Sequence, residues 1–179
     1  MSELNNQELL ELLKTDVKSF NDYREYYHNQ IIDFSNANLE RADLRGADLR
    51  GANLLYANLQ YANLKEGNLY KANLIGAILY KVDLYKANLK LADLYKSNLV
   101  EGNLELANLQ YANLSWGNIR GANLQLANLY RSNLVEGNFQ GANLLYANLQ
   151  EGNFQGANLQ YAKITLIKEN LEAIKLCKL

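Results

Sequence analysis

The sequence predicts an all-β solenoid with a helical cap at its start and a short helix at its end. Three observations carry this. From Phe34 to Ile164 every fifth residue is large and apolar, 27 positions without a slip. Two residues before each of these centres stands Ala, Gly or Ser, except at Ile32 and Val82, and one before stands Asn or Asp, except at Ile78 and Lys163. Proline is absent from the chain, which suits a backbone ladder in which each proline would remove a donor.

The period of five fits neither regular element. On an α-helix five residues turn about 500°, so successive centres would wander around the cylinder. On a straight strand an odd spacing sends alternate centres to opposite faces. The pattern works if three residues run straight, small side chain in, Asn or Asp out, large side chain in, and the two variable residues turn a corner. Coils then stack through parallel backbone hydrogen bonds about 4.8 Å apart. Two inward side chains per unit share a narrow interior, so one of them must be small.

The elements follow in chain order. Residues 1–31 read as a helical cap, with Leu9, Leu13, Val17, Phe20, Tyr23 and Tyr27 at spacings of three and four. Asn5 and Glu8 have the spacing of a capping box, and Asp16 is placed to start a second helix. Residues 32–165 form the solenoid. In residues 166–179, Thr165 is expected to N-cap a helix running to Leu179, with Ile167, Leu171 and Ile174 on one face. Caps are expected because open coil ends invite further pairing. The alternative use of the first cap is as a docking helix for a partner, and that of the last helix is as a recognition element or a contact that pairs two subunits.

Units such as Tyr56-Ala57-Asn58-Leu59 and Gly46-Ala47-Asp48-Leu49 resemble the pentapeptide-repeat family, whose consensus is A(D/N)LXX. The resemblance covers about three quarters of the chain. It implies a right-handed quadrilateral parallel β-helix with 20 residues per coil and a bacterial, often cyanobacterial, source. The sequence itself carries a different long echo: Ala92–Asn103 recurs almost verbatim at Ala127–Asn138, an offset of 35 residues. A ligand-selected face should repeat every 20, so this echo points to growth by duplication.

Little in the chain suggests catalysis. The single histidine, His28, and the single cysteine, Cys177, are remote from each other, so a zinc site is not expected. No nucleophile elbow, P-loop or dinucleotide fingerprint occurs. No metal and no organic cofactor is expected, and the acidic members of the outward column, Asp33, Asp43, Asp48, Asp83 and Asp93, read as part of a solvated structural column. The start of the chain lacks the basic and apolar regions of a secretory signal, and no apolar run approaches the roughly 20 residues of a membrane span. With one cysteine, no intrachain disulfide is possible, and a reducing, cytoplasmic setting is expected.

The surface carries more. If residues 20 apart stack, the corner after centres 54, 74, 94, 114 and 134 presents Leu55, Tyr56, Ile75, Tyr95, Trp116 and Val135, with Ile78 just round it and charge only at Lys96 and Glu136. An apolar stripe rimmed by polar residues is a candidate interface for a protein partner. The corner bearing Arg50, Tyr70, Lys71, Lys90, Tyr111, Tyr130 and Arg131 mixes cations with aromatics, as a site for an anionic polymer would. Lys65, Lys71, Lys81, Lys86, Lys90 and Lys96 wrap as a belt. The leading functional expectation is a non-enzymatic scaffold or protein-interaction module, with a homodimer as one form of partner. The resemblance also implies a second: some members mimic duplex DNA and bind gyrase or topoisomerase. That needs a strongly acidic surface, whereas residues 31–165 carry eleven Asp/Glu against twelve Lys/Arg, a net charge of +1. Nucleic-acid binding is likewise not expected.

Overall fold

In the computed structural model, which describes residues 3–175 and Cys177, the chain begins with two helices, α1 (Asn6–Thr15) and α2 (Val17–Tyr26). The Asn5 side chain accepts from the amides of Gln7 and Glu8, and Glu8 accepts from the Asn5 amide in return, so the capping box is complete. Asp16 ends α1 and starts α2 by accepting from the Ser19 amide. Leu9, Leu13, Phe20 and Tyr23 are buried against the first coil.

From residue 33 onward every bridge is parallel and joins residues 20 apart, from Asp33–Asn53 to Asn138–Asn158. The series ends in the one regular pair among the described residues, β1 (Asn143–Leu144) with β2 (Lys163–Ile164). A 20-residue coil holds four five-residue units, hence four straight sides and four corners. With nearly seven coils the rod is about 30 Å long.

The backbone accounting of one unit explains the repeat. In the unit around Leu54, the centre's amide donates to Asn73 O of the following coil (2.7 Å). The second corner residue, Tyr56, donates to Ile75 O of that same coil (3.0 Å), and Ala57 closes the corner by donating to Leu54 O (3.0 Å). Asn58 donates backwards, to Ala37 O of the preceding coil (2.9 Å). Only the first corner amide, Leu55 N, lacks a backbone acceptor, and the Asn53 side chain supplies one (3.3 Å). The outward Asn/Asp column is therefore an array of side-chain turns that satisfies one amide in five, rather than a merely solvated column. Asparagine adds a second bond, donating along the stack as from Asn73 to Asn53 (2.9 Å), which aspartate lacks the proton to do.

The corners place their second residue in the left-handed region, with φ between 52° and 62° at twenty non-glycine positions. Tyr, Lys, Leu, Glu, Arg and Trp all sit there, in a conformation that costs an L-residue about 1–2 kcal/mol. The ladder bond made by the same residue's amide, and the closed turn beside it, offset that cost.

Every centre from Phe34 to Leu159 is buried. Where the centre is Phe139 or Phe154 the small inward partner shrinks to Gly137 or Gly152. A methyl group on Gly137 would stand 2.7 Å from Phe139 Cε2, and the two phenyl rings pack with centroids 5.9 Å apart, leaving no room to yield. Gly137→Ala is expected to cost about 1–3 kcal/mol by overpacking. Adding Phe139→Leu should recover part of the loss, a coupling read from thermal unfolding of the two single variants and the double; strict additivity would contradict the shared-volume account.

Side chains close both ends by imitating a missing coil. At the start, Arg24 of α2 reaches Asp48 O (3.3 Å), Arg50 O (2.7 Å) and Gln30 O (3.1 Å), while Asn21 accepts from Asp48 N (2.8 Å) and Asn6 from Asp33 N (3.1 Å). At the finish, Asn170 accepts from Leu149 N (3.2 Å) and donates to Ala147 O (3.2 Å). Two expectations are corrected here. Thr165 does not cap the last helix: α3 spans Lys168–Ile174 with Ile167 before it and no side-chain cap. The Thr165 hydroxyl instead accepts from Tyr146 N (2.8 Å), a corner amide with no further coil to receive it. Nor do Ile167, Leu171 and Ile174 share the buried face. Asn170 and Ile174 are buried, while Ile167 and Leu171 are half exposed, because closing the open edge requires an amide at the centre of the contact. Of the helix expected to reach Leu179, residues Leu176, Lys178 and Leu179 lie outside the described residues.

Candidate interfaces on the rod surface

The coil length brings Leu55, Ile75, Tyr95 and Val135 into one column at first corner positions, with Tyr56 and Trp116 in the column beside it. Tyr56 is 58% exposed and Trp116 56%, while the first-position residues are half buried between coils. Gly76 follows Tyr56 in the outer column, and both of its features matter. Its φ is +63°, and a Cβ there would overlap the Tyr56 ring, so the ring lies flat along the rod. Lys96 and Glu136 break the outer column into pieces.

Ile78 lies round this corner in the Asn/Asp column, bridged to Asn58 before it and Asn98 after it. Its side chain is 39% exposed. It offers no acceptor to the Tyr80 amide and breaks the amide ladder of that side, so at this one mid-rod position the turn-stabilising residue has been given up for an apolar one.

Two of the four cations of the basic–aromatic corner are neutralised within it, while Lys71 and Lys90 lie over the rings of Tyr70 and Tyr111. Arg50 is paired with Asp48 (2.6 Å) and Arg131 with Glu151 (2.6 Å), which also accepts from the Tyr130 hydroxyl (3.0 Å). Burial pushes the Asp48 carboxyl up, but its bonds to Arg50 outweigh this and hold it below the usual carboxylate range. The Glu151 carboxyl is likewise lowered by Arg131 and Tyr130. In the lysine belt, Lys65 pairs with Asp83 and Lys81 with Glu101. Lys71, Lys81, Lys86 and Lys96 each lie 5.1–5.3 Å from the ring of the tyrosine before them. The recurrent Tyr-Lys corner is thus a cation–π pair worth about 0.5–1 kcal/mol at an exposed site.

A third corner is also apolar. Leu106, Leu126 and Tyr146 occupy its second position on successive coils, and Leu166 with Ile167 follows Thr165 at its foot. All five are 39–70% exposed. The 20-residue spacing of 106, 126 and 146 is the signal that marks it.

Burial pushes the Cys177 thiol up to about 11, and it donates to Phe154 O (3.4 Å), so it is a packing residue. Among the described residues no three His, Cys, Asp or Glu side chains gather as metal ligands, and no helix is long and apolar enough to cross a membrane.

Comparison with known proteins agrees with this architecture. The family model for pentapeptide repeats matches in eight copies over residues 32–69, 56–90, 87–125 and 122–160. The chain belongs to the pentapeptide-repeat family. Among solved structures it is similar to HetL, a pentapeptide repeat protein involved in heterocyst differentiation regulation from the cyanobacterium Nostoc sp. strain PCC 7120. The two are 33% identical over 75% of this chain and 70% of that one, with a TM-score of 0.52. QnrB1, a plasmid-mediated fluoroquinolone resistance protein, shares the fold at 17% identity, 83% and 87% coverage and a TM-score of 0.50. A search of curated proteins by sequence finds no match.

Proposed function

We propose that the chain acts by binding rather than by catalysis, as a rigid, right-handed rod whose Tyr56–Trp116 corner receives another protein. The observation that carries this is Ile78. Twenty-five of the 27 units keep Asn or Asp at this place, and each such side chain is able to satisfy a turn amide. An apolar residue there, 39% exposed and round the corner from the stripe, one coil from Tyr56 and two from Trp116, gives up a structural bond and gains only contact surface. The likeness to HetL, a protein involved in heterocyst differentiation regulation, supports an interaction role. The rod's near-neutral charge speaks against mimicry of duplex DNA, and the internal pairing of Arg50 and Arg131 speaks against an anionic polymer.

Ile78→Asn separates structure from function. Restoring the side-chain acceptor should raise stability by about 0.5–1.5 kcal/mol, read from denaturant unfolding. The same variant, like Trp116→Ala, should lose proteins that the parent retains from a lysate of the source organism, whereas Gln140→Ala on the next corner should keep them. Retention of the same proteins by Ile78→Asn and Trp116→Ala would overturn the assignment of this corner.

A further inference from the structure

We infer that the Leu106–Leu126–Tyr146–Leu166 corner is the contact of an antiparallel homodimer. Bridges Asn103–Asn123, Asn123–Asn143 and Asn143–Lys163 set four rungs in register on this side of the rod. The first three present Leu106, Leu126 and Tyr146, and Leu166 follows at the fourth. The straight side and corner residues of these rungs carry two charges. Glu105 lies on the first rung and Lys163 on the fourth, about 14 Å apart along the axis at the coil spacing. Neither has an oppositely charged partner among the described ion pairs.

That arrangement is complementary to itself in one orientation. A two-fold axis perpendicular to the rod, between the second and third rungs, sets the first rung against the partner's fourth and the second against the partner's third. Leu106 then meets Leu166, Leu126 meets Tyr146, and the rung of each Glu105 lies opposite that of a Lys163, two residues aside and within reach of the long side chains. A side-by-side pair with the rods parallel would oppose Glu105 to Glu105 and Lys163 to Lys163. Isologous contacts of this kind close at two copies. Leu106, Leu126 and Tyr146 are held by the turn itself, with φ of 60° at each, so little ordering opposes association. Four partly exposed side chains per copy place the contact in the small, transient class, below about 1,200 Å² in all. The dimer is therefore weak and concentration-dependent.

Sedimentation velocity of the full chain from low to high micromolar concentration tests this. The mass should rise from 20.3 kDa towards twice that value. Leu126→Glu should hold it at one copy; glutamate already occupies this corner position at Glu66, Glu101, Glu136 and Glu151, so the coil tolerates it, as an unchanged unfolding midpoint would verify. Glu105→Lys and Lys163→Glu should each weaken association at least several-fold, and the two together should restore it. Ile78→Asn, on another corner, should leave the mass unchanged. A chain that stays single throughout, a dimer indifferent to Leu126→Glu, or a double charge exchange that fails to restore association would each overturn the proposal.

Discussion

Arg24→Ala is expected to destabilise the protein by about 3–5 kcal/mol, because it removes three bonds from a charged donor and leaves their buried carbonyl acceptors without partners. The side chain is 4% exposed. Burial lowers its pKa, against the favourable field of Asp48, yet guanidinium remains charged at any ordinary pH. Its three bonds go to carbonyls of Gln30, Asp48 and Arg50. The last two belong to the first coil and point where a preceding coil would have donated to them. The substitution therefore leaves open edge acceptors and a cavity together. Arg24→Lys should fall between parent and alanine, because one ammonium does not span three acceptors. Chemical denaturation gives the size. A second signature is specific to the capping role: the alanine variant should associate end to end at high concentration, since an uncovered ladder edge templates pairing. A loss under about 1 kcal/mol would show that water serves these carbonyls as well as Arg24 does.

What was legible in advance follows from where the period of five speaks. It assigns each residue of a unit to inside, outside or corner, and Phe34, Leu109 and Ala57 fall where the pattern puts them. It says nothing of how many units close a coil, because stacking is a relation between residues 20 apart and any whole number of sides keeps the same local pattern. That number came with the family resemblance, and the bridges agree with it. The left-handed corners were invisible for a different reason: Tyr56, Lys71 and Trp116 are poor choices for that conformation, and the ladder overrides local preference. At the ends two rules compete. Thr165 looks like a helix cap, but the edge amide of Tyr146 has the stronger claim on its hydroxyl. Asn170 replaces a peptide group of the missing coil, accepting from Leu149 N and donating to Ala147 O, a role no spacing rule signals. The Leu106 corner carries one tyrosine and no tryptophan to stand out in the sequence, and its column of Leu106, Leu126 and Tyr146 shows only once the coil length is known.

Leu109→Ala is expected to cost about 2–5 kcal/mol, while Gln110→Ala, one residue on, should change stability by less than about 0.5 kcal/mol. Leu109 is fully buried in mid-rod, in a column with Leu89 and Leu129 one coil away on either side. Truncation removes its burial and leaves a gap that neighbours held on fixed rungs cannot collapse into. Gln110 keeps every backbone bond when its side chain is cut. Its amide donates to Asn108 Oδ1 (3.1 Å) and its carbonyl accepts from Leu91 N (3.0 Å). Each coil touches only its neighbours, so a mid-rod gap weakens the coupling between two half-rods as well as the site itself. Leu109→Ala should therefore broaden the denaturant transition as it shifts the midpoint, because the halves begin to unfold separately. Equal shifts for the two variants would refute the inward and outward assignment, and a large shift with an unbroadened transition would mean that the rod unfolds as one cooperative unit whatever happens at its middle.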